Sequence, residues 1–169
     1  GGPRTVQTWK QTHDVNGTDL SASTKRDNNA RFYPIAGAVV GSASKTENDS
    51  YNMLLYNWFG GKYDGQSYYI KNVRVESHCY NVGLFGTTVG ADISNIVLYS
   101  DNDSIIQRKT ERTKYPYDTN GPDSYQTFYA LGGLVGIAYD YAPKNTLAAK
   151  GTINNCAIAG YVIQDNSQN

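Results

Sequence analysis

The chain has 169 residues, and its 15 Lys and Arg are balanced by 15 Asp and Glu, so its formal net charge is zero. Proteins that live on phosphate contacts carry a basic surplus, so this balance argues against a nucleic-acid partner. No apolar run approaches the ~18 residues of a membrane span, which argues against membrane insertion.

The composition is rich in Gly (17) and Tyr (15), with only 18% charged residues. It disfavours long helices and favours strands and turns. The length fits a single module over residues 1–169. No targeting segment is legible, and the opening GGPRTVQTWK reads as an interior cut or a processed end.

In chain order, HDVNGTDLS (13–21) is followed by YPIAG (33–37). A polar insertion over about 38–57 carries Tyr51 and Tyr56 and leads into Trp58. FGGKYDGQSYYIKNVRV (59–75) follows, with a turn signal at Asp64-Gly65. Then come NVGLFG (81–86) and ADISNIVLYS (91–100). A second insertion, about 107–127, holds Tyr115, Tyr117 and Tyr125, with Arg108, Lys109, Arg112 and Lys114. LGGLVG (131–136), a third insertion over about 137–150, and GTINNCAIAG (151–160) complete the series.

Two units recur in this series. The Gly-Leu-apolar-Gly unit stands at Gly83–Gly86 and Gly133–Gly136, with a weaker copy in which Ile35 and Gly37 match Leu84 and Gly86. The Ile-x-Asn-apolar-x-apolar unit starts at Ile70, Ile93 and Ile153. The connections between the units range from 7 positions (Gly86 to Ile93) to 33 (Gly37 to Ile70). Constant short strands with variable loops are how a solenoid reads in sequence.

A phosphate loop would need the glycines to lead into a helix N-terminus, often with Lys-Ser/Thr. GLFGTTVGADISN leads instead into another strand-like piece and carries no lysine. The glycines are therefore read as close-approach positions. Ile70–Val75, Ile93–Leu98 and Ile153–Ile158 are predicted to lie in parallel ladders at ~4.8 Å spacing. Leu84, Leu134, Ile70, Ile93, Ile153 and Cys156 are predicted to share one core, and Asn72, Asn95 and Asn155 to occupy one register slot at a bend. The spacing of Cys79 and Cys156 does not decide whether they pair.

The order and number of these motifs resemble the GLUG-type repeat region of bacterial secreted and surface proteins, over roughly residues 13–163. FGGKYDGQSYYIKNVRV is similar to that family's F-x-G-x-[FY]-D-G followed by a strand. HDVNGTDLS with FYPIAG resembles its opening segment, although Asn16-Gly17-Thr18 interrupts the pattern. The resemblance implies an all-β, parallel β-helix-like solenoid with long inserted loops, part of a larger secreted or cell-surface protein, adhesin-like or related to immunoglobulin A peptidases. The three insertions are longer than a plain solenoid carries.

The search for chemistry finds no His-Glu-x-x-His and no Gly-x-Ser-x-Gly. His13 and His78 lack partners at ligand spacing, and adjacent His78 and Cys79 in a strand point to opposite faces. SDNDS (100–104) lacks the glycine and terminal glutamate of a calcium loop and reads as a solvated turn. A non-enzymatic structural or adhesion module with no cofactor is therefore expected. Its partners would be a host or bacterial surface glycan or protein and the neighbouring domains of a parent chain. Binding is assigned to the inserted aromatics Trp58, Tyr56, Tyr115 and Tyr117, since flat rings beside polar groups suit sugars and protein surfaces. The alternatives are a glycan-binding module, an accessory region of a larger secreted hydrolase or peptidase, and tyrosines that simply cover exposed sheet.

Overall fold

The structure is a computed structural model that describes residues 7–17, 34–36, 58–77, 81–108, 130–139 and 150–165. All fifteen elements named among them are short strands, and every pairing between them is parallel. Strands stay short because corners interrupt them. Asn72, Asn95 and Asn155 all have left-handed backbones, with φ of 54°, 56° and 52°. Asn tolerates that conformation because its short amide bonds locally, whereas branched residues such as Val73 and Ile96, which follow two of these asparagines, do not. Each Ile-x-Asn-apolar unit is thus two strands hinged at an asparagine, where the sequence had suggested one.

The first sheet has the order β1 (Thr8–Lys10), β3 (Lys62–Asp64), β8 (Asp92–Ser94), β13 (Thr152–Asn154). Its register stacks Trp9, Tyr63, Ile93 and Ile153 in one column. The second sheet runs β2 (Val15–Asn16), β4 (Tyr69–Lys71), β9 (Val97–Tyr99), β14 (Ala157–Ala159). It stacks Val15, Ile70, Leu98 and Ile158. The third sheet joins β5 (Val75–Ser77), β10 (Ile105–Arg108) and β15 (Val162–Asp165). Two two-stranded sheets pair β6 (Asn81–Val82) with β11 (Ala130–Leu131), and β7 (Phe85–Val89) with β12 (Val135–Tyr139).

The glycine units align as the sequence suggests. Val135 lies beside Phe85, and the Leu84 amide donates to the Gly133 carbonyl at 3.0 Å. Ile35 is shifted by one position from the expected match, bridging to Phe85 and not to Leu84.

The Ile153 unit lies on the Ile93 unit as predicted, but the Ile70 unit does not. Ile70 stacks on Leu98, and Tyr63 takes the place beside Ile93. The motif marks a left-handed corner, and the described residues hold several, with Gln66, Ser67, Asp103 and Gly160 also at positive φ. The Asn95 and Asn155 ladder is therefore completed by Asp64. Asn155 Nδ2 donates to Asn95 Oδ1 at 2.7 Å, and Asn95 Nδ2 donates to Asp64 Oδ1 at 2.8 Å. Asn72 turns the next corner and bonds Asp101.

The core gathers Val82, Leu84, Phe85, Ile93, Ile96, Leu98 and Ile106, with Ile70, Val73 and Val75. Leu134 and Cys156 pack against it half-buried. The Cys156 thiol is free, with Sγ 3.3 Å from the Asn154 carbonyl; Cys79 lies outside the described residues. Ile153 departs from expectation: it is 51% exposed, because β13 is an edge of its sheet among the described residues and has no neighbour on its far side.

Candidate binding face

The outer surface of the β2–β4–β9–β14 sheet concentrates aromatic and charged groups. Strand alternation sends Ile70 and Leu98 inward and leaves Tyr69, Lys71, Val97 and Tyr99 outward. Tyr69 is 54% exposed and Tyr99 38%. The register sets Tyr69 beside Val97 and Lys71 beside Tyr99, with Ala157 and Ala159 continuing the rows as a low shelf. The Lys71 ammonium sits 5.8 Å from the centroid of the Tyr99 ring, within cation–π range. It also pairs with Asp101 at 2.6 Å. That bond holds the Lys71 pKa above, and the Asp101 pKa below, their ordinary values, and Asn72 Nδ2 at 2.8 Å supports the carboxylate. At the other margin Asp14 Oδ1 accepts the Tyr69 amide at 2.7 Å. The face therefore presents two flat rings framed by a lysine and two carboxylates.

Asp64 anchors the adjoining corner. Besides the Asn95 amide it accepts the Gln66 backbone amide at 2.9 Å, and the two bonds, the Asn95 one first, lower its pKa below 3.8. A depressed carboxylate stabilises the fold fully above its unfolded pKa and loses that contribution as pH falls through the folded value. The thermal midpoint is accordingly expected to drop on acidification below about pH 4. Asp64→Asn should show a shallower drop in a calorimetric pH series. A variant that tracked the parent at every pH would assign no acid-sensitive bond to this corner.

The residues singled out from sequence are not brought together here. Trp58 is half-buried, and its indole lies over Gly60, where an added Cβ would come 3.3 Å from Nε1. Tyr56, Tyr115 and Tyr117 lie outside the described residues, as do Lys109, Arg112 and Lys114. Arg108, read from sequence as a basic neighbour of the inserted tyrosines, is only 4% exposed and pairs with Asp165 across β10 and β15. Neighbouring Arg74 pairs with buried Glu76 at 2.7 Å. Both pairs belong to the wall of the third sheet.

Phe59 and Tyr63 are packing residues. Phe59 touches Trp9 and Phe85 with centroids 5.3 and 5.1 Å apart, and Tyr63 meets Phe85 edge-on at 5.6 Å. His13 is exposed and bonded to its neighbour Thr12. Sequence reasoning missed Tyr69 and Tyr99. Their signal was the period-2 pattern of YIK and VLY, which put an apolar residue inward and a tyrosine outward in each strand.

Burial pushes the Tyr161 phenol up to about 12 and raises that of Tyr63, so neither ionises near neutral pH. Among the described residues no three His, Cys, Asp or Glu side chains are grouped to hold a metal ion. No helix among them is long and apolar enough to cross a membrane. No protein-family model matches the chain, and neither does any curated protein or solved structure.

Proposed function

We infer that the chain is a parallel β-solenoid module of a bacterial secreted or cell-surface protein. In this reading it is a non-catalytic scaffold that holds recognition residues toward a surface glycan or protein. The observation that carries the reading is the in-register stacking of successive passes: Val15, Ile70, Leu98 and Ile158 in one column, Asp64, Asn95 and Asn155 in another. Columns of this kind bury one apolar side of each pass on the next and make a stiff support out of short strands. The likeness of the glycine and Ile-x-Asn units to GLUG-type repeats agrees with it and suggests the surface setting. Tyr69, Lys71, Tyr99 and Asp101 supply the ligand contacts: rings for the apolar faces of sugars or side chains, and charged groups for their polar edges.

The test is a glycan array and an immobilised-surface binding assay on the whole chain. Three variants are compared after circular dichroism shows that each is folded: Tyr69→Ala with Tyr99→Ala, Trp58→Ala, and Tyr115→Ala with Tyr117→Ala. The first is expected to weaken binding about tenfold or more, on the order of 1.4 kcal/mol. Loss only in the second or third would move recognition to the inserted loops. A parent chain with no ligand would leave a spacer that sets reach.

A further inference from the structure

Among the described residues the stacked sheets have an unpaired strand edge at each end, and the two edges match. At one end the β13, β14 and β15 edge shows Ile153, Ile158 and Ile163 at 51%, 40% and 48% exposure, with Val162 at 44%. Among the described residues nothing pairs beyond these strands. At the other end β1 and β2 are, among the described residues, the far edges of the first two sheets, with Trp9 44% exposed.

The two edges share columns. Ile153 stands in the column that Trp9 begins, and Ile158 in the column that Val15 begins. A second copy shifted along the stack by its own height would set its Trp9 on Ile153 and its Val15 on Ile158, in the parallel sense the chain already uses.

The backbone groups are complementary as well. In a parallel ladder successive residues direct their amide and carbonyl to opposite neighbours. The Thr152 amide bonds the Ala91 carbonyl and the Asn154 carbonyl accepts the Asn95 amide, so the Ile153 groups face off the open edge. On β1, the Lys62 amide bonds the Gln7 carbonyl and the Gln11 amide bonds the Asp64 carbonyl, which turns the Thr8 and Lys10 groups away from β3. Those groups sit in the register that would meet Ile153, as Thr152 and Asn154 meet Ile93. At the corner, the Asn155 amide already bonds downward to Asn95. Its oxygen is the acceptor a further pass would use, as Asn95 Oδ1 is used by Asn155.

We propose that the chain associates end to end, the β13–β14 edge of one copy receiving the β1–β2 edge of the next. The contact is heterologous, so it does not close on itself at two subunits and grows into rods. It depends on the parallel register and the two open edges, and it is independent of recognition by the tyrosine face.

The test uses one blocked variant for each end. Ile153→Lys puts a charge on the upper edge. Thr8→Pro removes an outward amide from the lower edge and adds a ring there, which an edge strand tolerates. Sedimentation velocity over a concentration series is expected to show the parent forming oligomers of increasing size. Each variant alone should lose this association while retaining its circular dichroism. Mixed in equal amounts, the two should form a heterodimer and stop, because only one open edge of each remains. If Ile153→Lys does not fold, Ile158→Lys takes its place. A parent that stays monomeric to its solubility limit overturns the proposal. So does association that survives either block, or a mixture that fails to pair.

Discussion

Phe85→Ala is expected to destabilise the protein by about 3–5 kcal/mol, the range for emptying a buried aromatic site. Phe85 is fully buried at the start of β7. Phe59 and Tyr63 lean on it from two directions. Ile35 bridges to it on one side and Val135 pairs with it on the other. Elements distant in sequence therefore converge on one ring, and backbone pairing on both sides of its strand limits how far the walls can collapse into the gap. The upper part of the range follows from that restraint. Urea titration with an unchanged slope would read the loss as stability alone. A loss under about 1 kcal/mol would mean that the site relaxes freely, contrary to close packing.

Gly136→Ala is the second large effect, and its sign is the informative part. Where space and backbone allow, replacing Gly by Ala stabilises by ~0.4–1 kcal/mol, because the unfolded chain has less freedom to lose. At Gly136 an added Cβ would stand 2.6 Å from the Gly86 carbonyl oxygen and 3.0 Å from both the amide nitrogen and the carbonyl oxygen of Val82. All three are backbone atoms held by strand pairing, so no side chain can swing aside. The variant is expected to lose about 1–3 kcal/mol, or more if β12 separates from β7. A calorimetric midpoint at or above that of the parent would show that the passes lie farther apart than this. The repeated Gly-Leu-apolar-Gly unit thus serves backbone approach, with the leucine facing the core between its glycines.

The parts of this fold legible in the sequence were those governed by local rules. Period-2 alternation marked the strands, and the recurrence of Gly-Leu-apolar-Gly and Ile-x-Asn fixed two alignments that the register bears out, Ile93 with Ile153 and Phe85 with Val135. The Asn72 alignment went astray because the motif encodes a left-handed corner and not the sheet its strands join. Several corners satisfy the same chemistry, and only the strand pairing separates them. Asp64 could not be seen as the ladder partner of Asn95 for the same reason. Ile153 looked like core because its residue type matches Ile93; its exposure depends on having no neighbour beyond it, which is a property of stacking. Tyr69 and Tyr99 stand in plain strands, where outward aromatic positions read equally well as ordinary sheet cover.

The ladders also bear on how fast this fold can form. Asn155 reaches Asn95 across 60 positions, Asn95 reaches Asp64 across 31, and Asn72 reaches Asp101 across 29. Parallel neighbours cannot be joined by a tight hairpin, so each pairing must close a long loop before any hydrogen bond rewards it. Closing 60 residues instead of 30 costs only about 0.6 kcal/mol more, since loop entropy grows with the logarithm of length. Insertions between passes are therefore cheap at equilibrium, and the chain carries several. Kinetically, contacts this distant place the chain among slow folders, on the millisecond-to-second scale or beyond. Each completed pass then supplies the edge on which the next one orders.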